Sequence, residues 1–167
     1  IPTKASAETL EYGTPVSGVP DDQGARQTHY RVASTAPLTG GAGQAQRFDG
    51  NGPLVELDHA AALTPAKMTL EGWFKPTSTQ NLQVLVNKSA DGYFSGGYGL
   101  YLNNGSVVFA VNEWFNEATQ VSVALPAGEW HHIAASYAGT ALKIYLDGTL
   151  AGEKAYAGPL TPQTGKL

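Results

Sequence analysis

Two adjacent histidines, His131 and His132, follow Trp130 and are the side chains that most directly suggest metal binding or acid–base chemistry. Successive side chains of a β-strand point to opposite faces, so neighbouring histidines do not converge on one ion. His132 would share a face with Trp130, and His131 would share the other face with Ile133. We therefore predict that one histidine is hydrogen-bonded in the core or at an edge, while the other packs over the outer face of a sheet.

The motifs of several other chemistries are missing from the sequence. Ser95-Gly96-Gly97 lacks the leading glycine of a nucleophile elbow, and no Gly-rich phosphate loop, EF-hand or His-Glu-x-x-His motif occurs. The chain has no cysteine, which excludes disulfides, thiolate zinc sites and cysteine nucleophiles. The net charge of -4 gives no electrostatic footprint for nucleic acid or an anionic membrane. No run of about 18 apolar residues could span a bilayer.

Aromatic, amide and carboxylate side chains concentrate in two loops, and this composition favours ligand binding. Sugar rings stack on aromatic faces while their hydroxyls pair with amides and carboxylates, and recognition usually lies in loops at the edge of a rigid scaffold. The alternative is that Trp114 and Phe115 fold back over a sheet edge or dock on a neighbouring domain. The candidate ligand-binding residues are Asp91, Tyr93, Phe94, Tyr98, Asn112, Trp114, Phe115 and Asn116.

Asp49 is the candidate metal ligand. It stands in the turn Phe48-Asp49-Gly50-Asn51, where glycine-rich backbone exposes carbonyl oxygens beside a carboxylate. Calcium prefers such oxygen ligands, so calcium is the candidate cofactor. The alternative is that Asp49 only caps its own turn by accepting hydrogen bonds from nearby N–H groups.

The elements that must position these residues are short strands joined by tight turns. Asn104-Gly105 and Asp147-Gly148 favour the positive φ angles of hairpins. Alternating apolar and polar residues predict strands, and the only helical signal is one turn at 58–63, ended by Pro65. The predicted strands lie at 27–33, 46–48, 54–57, 68–75, 82–87, 98–102, 107–111, 119–125, 130–137, 142–146 and 149–154.

Many short strands without helices predict an all-β, two-sheet antiparallel jelly-roll sandwich. Residues 1–43 are expected to form an extended N-terminal segment that is partly strand, and residues 44–167 the jelly roll. Five residues in alternating strand positions are predicted to be largely buried: Trp73, Leu100, Ile133, Ile144 and Leu146.

From residue 44 onward the chain resembles the laminin G-like family within the concanavalin A-like lectin and glucanase fold. Four segments carry the resemblance: Phe48-Asp49-Gly50, Trp73-Phe74-Lys75-Pro76, Tyr98-Gly99-Leu100-Tyr101-Leu102 with Asn104-Gly105, and Trp130-His131-His132-Ile133-Ala134 with Tyr145-Leu146-Asp147-Gly148. The resemblance implies the jelly-roll fold and a binding role, and many members bind calcium near the edge that holds Asp49. Residues 8–33 are similar to the start of β-domains appended to secreted bacterial peptidases.

The family's closing strand pair has no counterpart before Leu167. An open edge would expose unpaired N–H and C=O groups. We therefore expect the sandwich to be completed from outside 44–167, by a companion polypeptide, by further domains or by residues 28–33 folding back.

The glucanase pattern Glu-x-Asp-x-x-Glu is incomplete, because Ala61 follows Glu56-Leu57-Asp58 where the second carboxylate is required. The expected function is therefore that of a non-catalytic binding module that recognises glycan or a cell-surface component in adhesion. The alternative is an accessory chain of a larger secreted enzyme, docking its aromatic loop on a catalytic partner. Both place the protein outside the cytoplasm: secreted, periplasmic or on the cell surface.

Overall fold

The computed structural model describes residues 47–48, 55–90 and 95–167. The chain divides into two compact units, 1–57 and 58–167. In the first unit the described residues, 47–48 and 55–57, lie in no helix or strand, so the strands predicted there are wrong for those positions. Alternation of side chains along a segment does not supply the ladder partner that a strand requires. The strand predicted at 27–33 lies outside the described residues.

The described residues of the second unit form eight strands and two short 3-10 turns. Every strand predicted from residue 68 onward overlaps an observed one, and the predicted helical turn is the 3-10 turn Ala61–Leu63. The other turn, Glu117–Thr119, precedes β5. The strands are β1 (Met68–Phe74), β2 (Gln83–Ala90), β3 (Ser95–Asn103), β4 (Ser106–Glu113), β5 (Gln120–Ala124), β6 (His131–Tyr137), β7 (Ala141–Leu146) and β8 (Thr149–Ala155).

The strands form two antiparallel four-stranded sheets. Sheet A has the order β1-β6-β7-β8 and sheet B the order β2-β3-β4-β5. Buried side chains of both sheets join in one core, with Leu100 and Phe109 from sheet B meeting Ile133 and Ile144 from sheet A. This arrangement confirms the predicted all-β sandwich. No helix among the described residues is long and apolar enough to cross a bilayer.

Two hairpins have the turn geometry that their residues predict. Asn104 and Gly105 have φ of 48° and 80°, and Asp147 and Gly148 have φ of 51° and 82°. Positive φ at both central residues matches the right-handed twist of the flanking strands and is favoured by Asn-Gly and Asp-Gly. The turns therefore set the β3–β4 and β7–β8 registers from local sequence.

The segment after β8, residues 156–167, forms no strand. Tyr156, Leu160 and Leu167 pack against the core, and the Gly97 N–H donates to the Thr161 carbonyl at 2.9 Å. The Tyr137 hydroxyl donates to the Gly158 carbonyl. Side chains and single backbone bonds hold this C-terminal segment in place of a β-ladder.

Candidate functional site

The residues predicted to bind ligand do not share one surface. Asp91, Tyr93 and Phe94 lie outside the described residues, as does the predicted calcium ligand Asp49. Tyr98 faces the core and is only 4% exposed. Its hydroxyl donates to the Leu63 carbonyl at 3.0 Å. Tyr98 therefore braces the turn before β1, and its ring is not available for stacking on a ligand.

Asn112 holds the C-terminal segment. Its Nδ2 donates to the Tyr156 hydroxyl at 2.7 Å and to the Pro159 carbonyl at 2.9 Å. Its Oδ1 accepts from the Thr161 N–H at 2.7 Å. Both amide hydrogens are thus used within the chain, which leaves Asn112 no donor for a ligand.

Trp114 folds back onto the outer face of sheet B. Its indole stacks on the Tyr101 ring, with centroids 5.0 Å apart and planes 7° from parallel, and it lies directly over Gly99, where a β-carbon would overlap the indole. Only 4% of Trp114 is exposed. The fold-back alternative is therefore correct for Trp114, because the missing side chain at Gly99 leaves a slot for the ring.

The next residue, Phe115, is 52% exposed. Its ring tilts against Tyr101 at a centroid distance of 5.6 Å. Asn116 caps the following 3-10 turn by accepting from the Ala118 N–H at 2.9 Å, and its Nδ2 donates to Glu113 Oε2 at 2.7 Å. Of the predicted set within the described residues, Phe115 is the exposed aromatic side chain.

A second aromatic surface, not predicted, lies on the outer face of sheet A. Trp73 is 64% exposed and Trp130 is 49% exposed. Trp73 pairs across β1 and β6 with His132, and the two ring centroids are 5.3 Å apart. The prediction that Trp73 is buried is wrong, because the alternation that places Phe74 toward the core turns Trp73 outward. We call Trp73, Trp130 and His132 the aromatic platform.

A backbone hydrogen bond joins the segment that precedes Trp130 to the segment that follows Trp73. The Gly128 N–H donates to the Pro76 carbonyl at 2.8 Å, so the two segments stay adjacent beyond the ends of β1 and β6. Trp130 stands two residues before His132 and just before β6 begins, and strand alternation continued one residue back would place it on the same face. Diagonal neighbours on a sheet lie about 7–8 Å apart, within reach of aromatic side chains.

Polar side chains surround the platform. Glu71 shares the exposed face of β1 and lies opposite Ala134, which in turn pairs with Tyr145 on β7. Lys75 is exposed just beyond β1. The platform thus combines exposed rings with a carboxylate, a phenol and an ammonium within two strands of each other.

His131 is buried beneath this face and pairs with Asp147, whose side chain is half exposed. His131 Nδ1 lies 2.9 Å from Asp147 Oδ2, and the His132 N–H donates to Asp147 Oδ1 at 2.8 Å. The carboxylate only accepts, so Nδ1 carries the proton, and Nε2 is buried without a hydrogen-bond partner among the described residues. This confirms that one histidine is hydrogen-bonded in the core while the other lies on the outer face.

Comparison with known proteins agrees with this architecture. The family model of the concanavalin A-like lectin and glucanase superfamily, in its laminin G-like branch, matches residues 48–167. The chain belongs to this family. No curated protein matches the sequence. Among solved structures, the mouse laminin alpha1 chain, domains LG4-5, is similar at 20% identity and a TM-score of 0.43, over 60% of this chain and 26% of that one.

The chain thus spans about a quarter of the length of that mouse structure. The family match confirms the resemblance predicted from the sequence and covers the platform, the His131–Asp147 pair and the Phe115 loop. The same fold supports many functions, so the role of this laminin G-like domain depends on its own surface residues.

In this laminin G-like domain, the hydrogen bonds from His131 and from the His132 N–H lower the pKa of Asp147. A carboxyl group whose folded pKa lies below its unfolded value of about 3.9 contributes stability at neutral pH. That contribution disappears as the pH falls below about 4 through the folded pKa.

We predict that Asp147→Asn lowers the Tm at pH 7 and flattens the acid limb of the Tm–pH curve. Asparagine tolerates the positive φ of the turn, so backbone strain is unchanged. The amide cannot accept two bonds as the carboxylate does, and its N–H₂ group opposes the proton on His131 Nδ1. Thermal melts between pH 2.5 and 7 measure both effects.

Glu153→Gln is the control for this experiment. It removes a half-exposed ion pair in which Lys143 Nζ and Glu153 Oε1 are 3.3 Å apart, and such pairs contribute little. If the Tm–pH curve of Asp147→Asn ran parallel to that of the wild type down to pH 2.5, the stabilising role assigned to the Asp147 carboxylate would be contradicted.

The laminin G-like domain also has a cleft of about 180 Å³ between residues 64–66 and 159–163, lined by Lys88, Gly97 and Tyr98. Lys88 is fully buried, and burial lowers its pKa. Its Nζ donates to the Gly165 carbonyl and lies 3.2 Å from His59 Nδ1. Both partners belong to other segments, so Lys88 links the C-terminal segment to β2.

Within the described residues, no group of three or more His, Cys, Asp or Glu side chains could hold a metal ion. Because Asp49 lies outside those residues, the calcium site remains a prediction from the sequence and the family resemblance.

Proposed function

We propose that this laminin G-like domain is a non-catalytic binding module that recognises glycan through the aromatic platform. The observation that carries the proposal is the exposure of two neighbouring tryptophans, Trp73 at 64% and Trp130 at 49%. Trp73 stands on the outer face of β1, paired with His132, and Trp130 immediately precedes β6. Exposed aromatic patches mark interaction sites because leaving such rings in water is unfavourable.

The chemistry of the platform suits a sugar. The apolar C–H face of a pyranose can stack on an indole, which offers a large rigid surface with few rotatable bonds. Glu71 can accept hydrogen bonds from hydroxyls, and Tyr145 can both donate and accept. His132 packs against Trp73 at 5.3 Å and so limits the orientations of that ring before ligand arrives.

The sequence near the start of the domain lacks the second carboxylate of a glycoside hydrolase, and this also supports a binding role. Glu56 and Asp58 are exposed, and Ala61 stands where a second catalytic carboxylate is required. Glycoside hydrolysis uses two carboxyl groups on opposite sides of the scissile bond. We place the domain in an exported or cell-surface protein, where glycan ligands are displayed and an adhesion role is served.

The experiment is a binding survey of the purified chain against soluble and insoluble polysaccharides, followed by titration calorimetry with the strongest ligand. We predict that Trp73→Ala and Trp130→Ala each weaken binding by about tenfold or more, as expected for central aromatic contacts. Since both side chains are exposed, their Tm values should stay within about 2 °C of the wild type.

Val84→Ser is the matched control, because Val84 is 44% exposed on β2 of the other sheet, away from the platform. It should bind like the wild type. Equal affinity of wild type, Trp73→Ala and Trp130→Ala for the same ligand would overturn the platform, and failure to bind any polysaccharide would overturn the glycan proposal.

A further inference from the structure

The outer face of sheet B carries a separate exposed apolar area. Val84 on β2 pairs with Tyr101 on β3, and the Phe115 ring rests against the same tyrosine at 5.6 Å. Leu82 precedes β2 and lies two residues from Val84. The three apolar side chains are 42%, 44% and 52% exposed in the order Leu82, Val84 and Phe115. Val84 and Phe115 both adjoin Tyr101, whose ring stacks on the buried Trp114 and so provides a rigid base.

The loop that presents Phe115 is locked by its own hydrogen bonds. Asn116 bonds both Glu113 Oε2 at 2.7 Å and the Ala118 N–H at 2.9 Å. The Thr119 hydroxyl donates to the Asn116 carbonyl at 3.1 Å. Phe115 is thereby held with φ of 63°.

Positive φ is unfavourable for a phenylalanine, whereas glycine or asparagine adopts it readily. Strained conformations of this kind concentrate at functional sites, where the surrounding structure over-determines them. The loop therefore holds a half-exposed aromatic ring in a backbone conformation that is strained for phenylalanine. A purely structural loop would gain stability from asparagine at this position.

The charged residues that flank Phe115 in the sequence are both acidic. Glu113 and Glu117 are exposed on either side of it, and no lysine or arginine occurs anywhere between Lys88 and Lys143. Strands β3, β4 and β5 consequently carry no basic residue, whereas β7 and β8 of sheet A carry Lys143 and Lys154. The exposed apolar side chain of Phe115 therefore has acidic residues as its charged neighbours.

We propose that Leu82, Val84, Phe115, Glu113 and Glu117, the Phe115 patch, dock a basic segment of another protein. An arginine or lysine of the partner lies over the Phe115 ring and pairs with Glu117, since a cation over an aromatic face is attracted by the ring quadrupole. Apolar side chains of the same segment cover Val84 and Leu82. Charge complementarity selects this partner over an acidic or neutral one.

The test uses ten-residue synthetic peptides titrated into the full chain at low and moderate salt. One peptide alternates arginine with leucine, a second alternates arginine with serine, and a third alternates glutamate with leucine. We expect the Arg–Leu peptide to bind most tightly, with affinity falling as salt rises. Phe115→Asn should weaken that binding by about tenfold, as expected for an aromatic anchor, and Glu117→Lys by about threefold or more, as expected for a border charge.

The Tm of Phe115→Asn and the binding of a control variant distinguish a docking role of Phe115 from a packing role. Phe115→Asn should keep or raise the Tm, because asparagine accepts the backbone conformation; a marked loss of Tm would overturn the proposal by showing that the ring serves packing. Leu150 is 45% exposed on sheet A, and Leu150→Ser should bind the Arg–Leu peptide like the wild type.

Three further results would overturn the proposed basic partner. Unchanged binding by Phe115→Asn, or equal binding of the Glu–Leu peptide, would overturn the patch as a basic-segment site. Self-association of the wild type that Phe115→Asn abolishes, seen by analytical ultracentrifugation, would assign the patch to a second copy of the chain and overturn the proposed partner. The glycan titrations are unaffected by any of these results, because the platform lies on the other sheet.

Discussion

Replacing Gly99 with alanine is expected to lower the free energy of unfolding by about 3 kcal/mol, because overpacking a filled site strains its neighbours. Gly99 lies in the middle of β3, paired with Ala110 on one side and Asn87 on the other. A β-carbon there would overlap the Trp114 indole. The ring would have to leave its stack on Tyr101 and expose the apolar surface beneath it.

A double-mutant cycle tests the cause of this loss. Trp114→Ala alone should cost about 3–5 kcal/mol, since it empties a large buried site. In the Trp114→Ala background, however, Gly99→Ala should change stability by less than about 0.5 kcal/mol, because the two residues act through one contact. Urea unfolding of the four proteins gives the interaction energy. Additive losses would show that Gly99 is required for a reason other than the indole.

Asn112→Ala is expected to destabilise the domain by about 3–4 kcal/mol, from three hydrogen bonds worth about 1 kcal/mol each and the strain of alanine at positive φ. The bonds join β4 to Tyr156, Pro159 and Thr161. Asn112 itself has φ of 58°. Loss of the amide would release the C-terminal segment from sheet B before global unfolding.

Asn112→Gly separates the two contributions, because glycine adopts positive φ without strain. It should lose the three hydrogen bonds yet remain about 1 kcal/mol more stable than Asn112→Ala. Hydrogen exchange at the Gly97 amide, which donates to Thr161, should accelerate in both variants. A wild-type exchange rate at Gly97 in Asn112→Ala would mean that the segment is held by other contacts.

The strands from β1 onward and their hairpins could be predicted from the sequence because their signals are local. Alternation with a period of two marks a half-buried strand wherever it occurs, and Asn104-Gly105 and Asp147-Gly148 encode their turns in two residues. The same alternation predicted that His131 and His132 face opposite ways. These properties depend on neighbours along the chain, which a sequence displays directly.

The aromatic site was predicted less well because exposure depends on what covers a side chain. The sequence favours Trp114 equally for a ligand loop and for folding back, and the structure buries it over Gly99, fifteen residues earlier in the sequence. The sequence predicts a buried Trp73, yet this residue is exposed. The sequence contains a signal in each case. A glycine inside a strand marks a position that another group approaches closely, and the alternation of β1 puts Trp73 and Phe74 on opposite faces of the strand.

The sequence by itself therefore determined the fold class, the positions of the strands from β1 onward, the tight turns and the family of this protein. Tertiary structure alone decided which rings are buried, since a ring's exposure is set by residues brought together across sheets and by gaps such as that at Gly99. It also decided that Asn112 serves the C-terminal segment, because an amide at a strand end has no local partner that would reveal its role. The platform and the Phe115 patch exist for the same reason: both join side chains that are distant along the chain and adjacent only after folding.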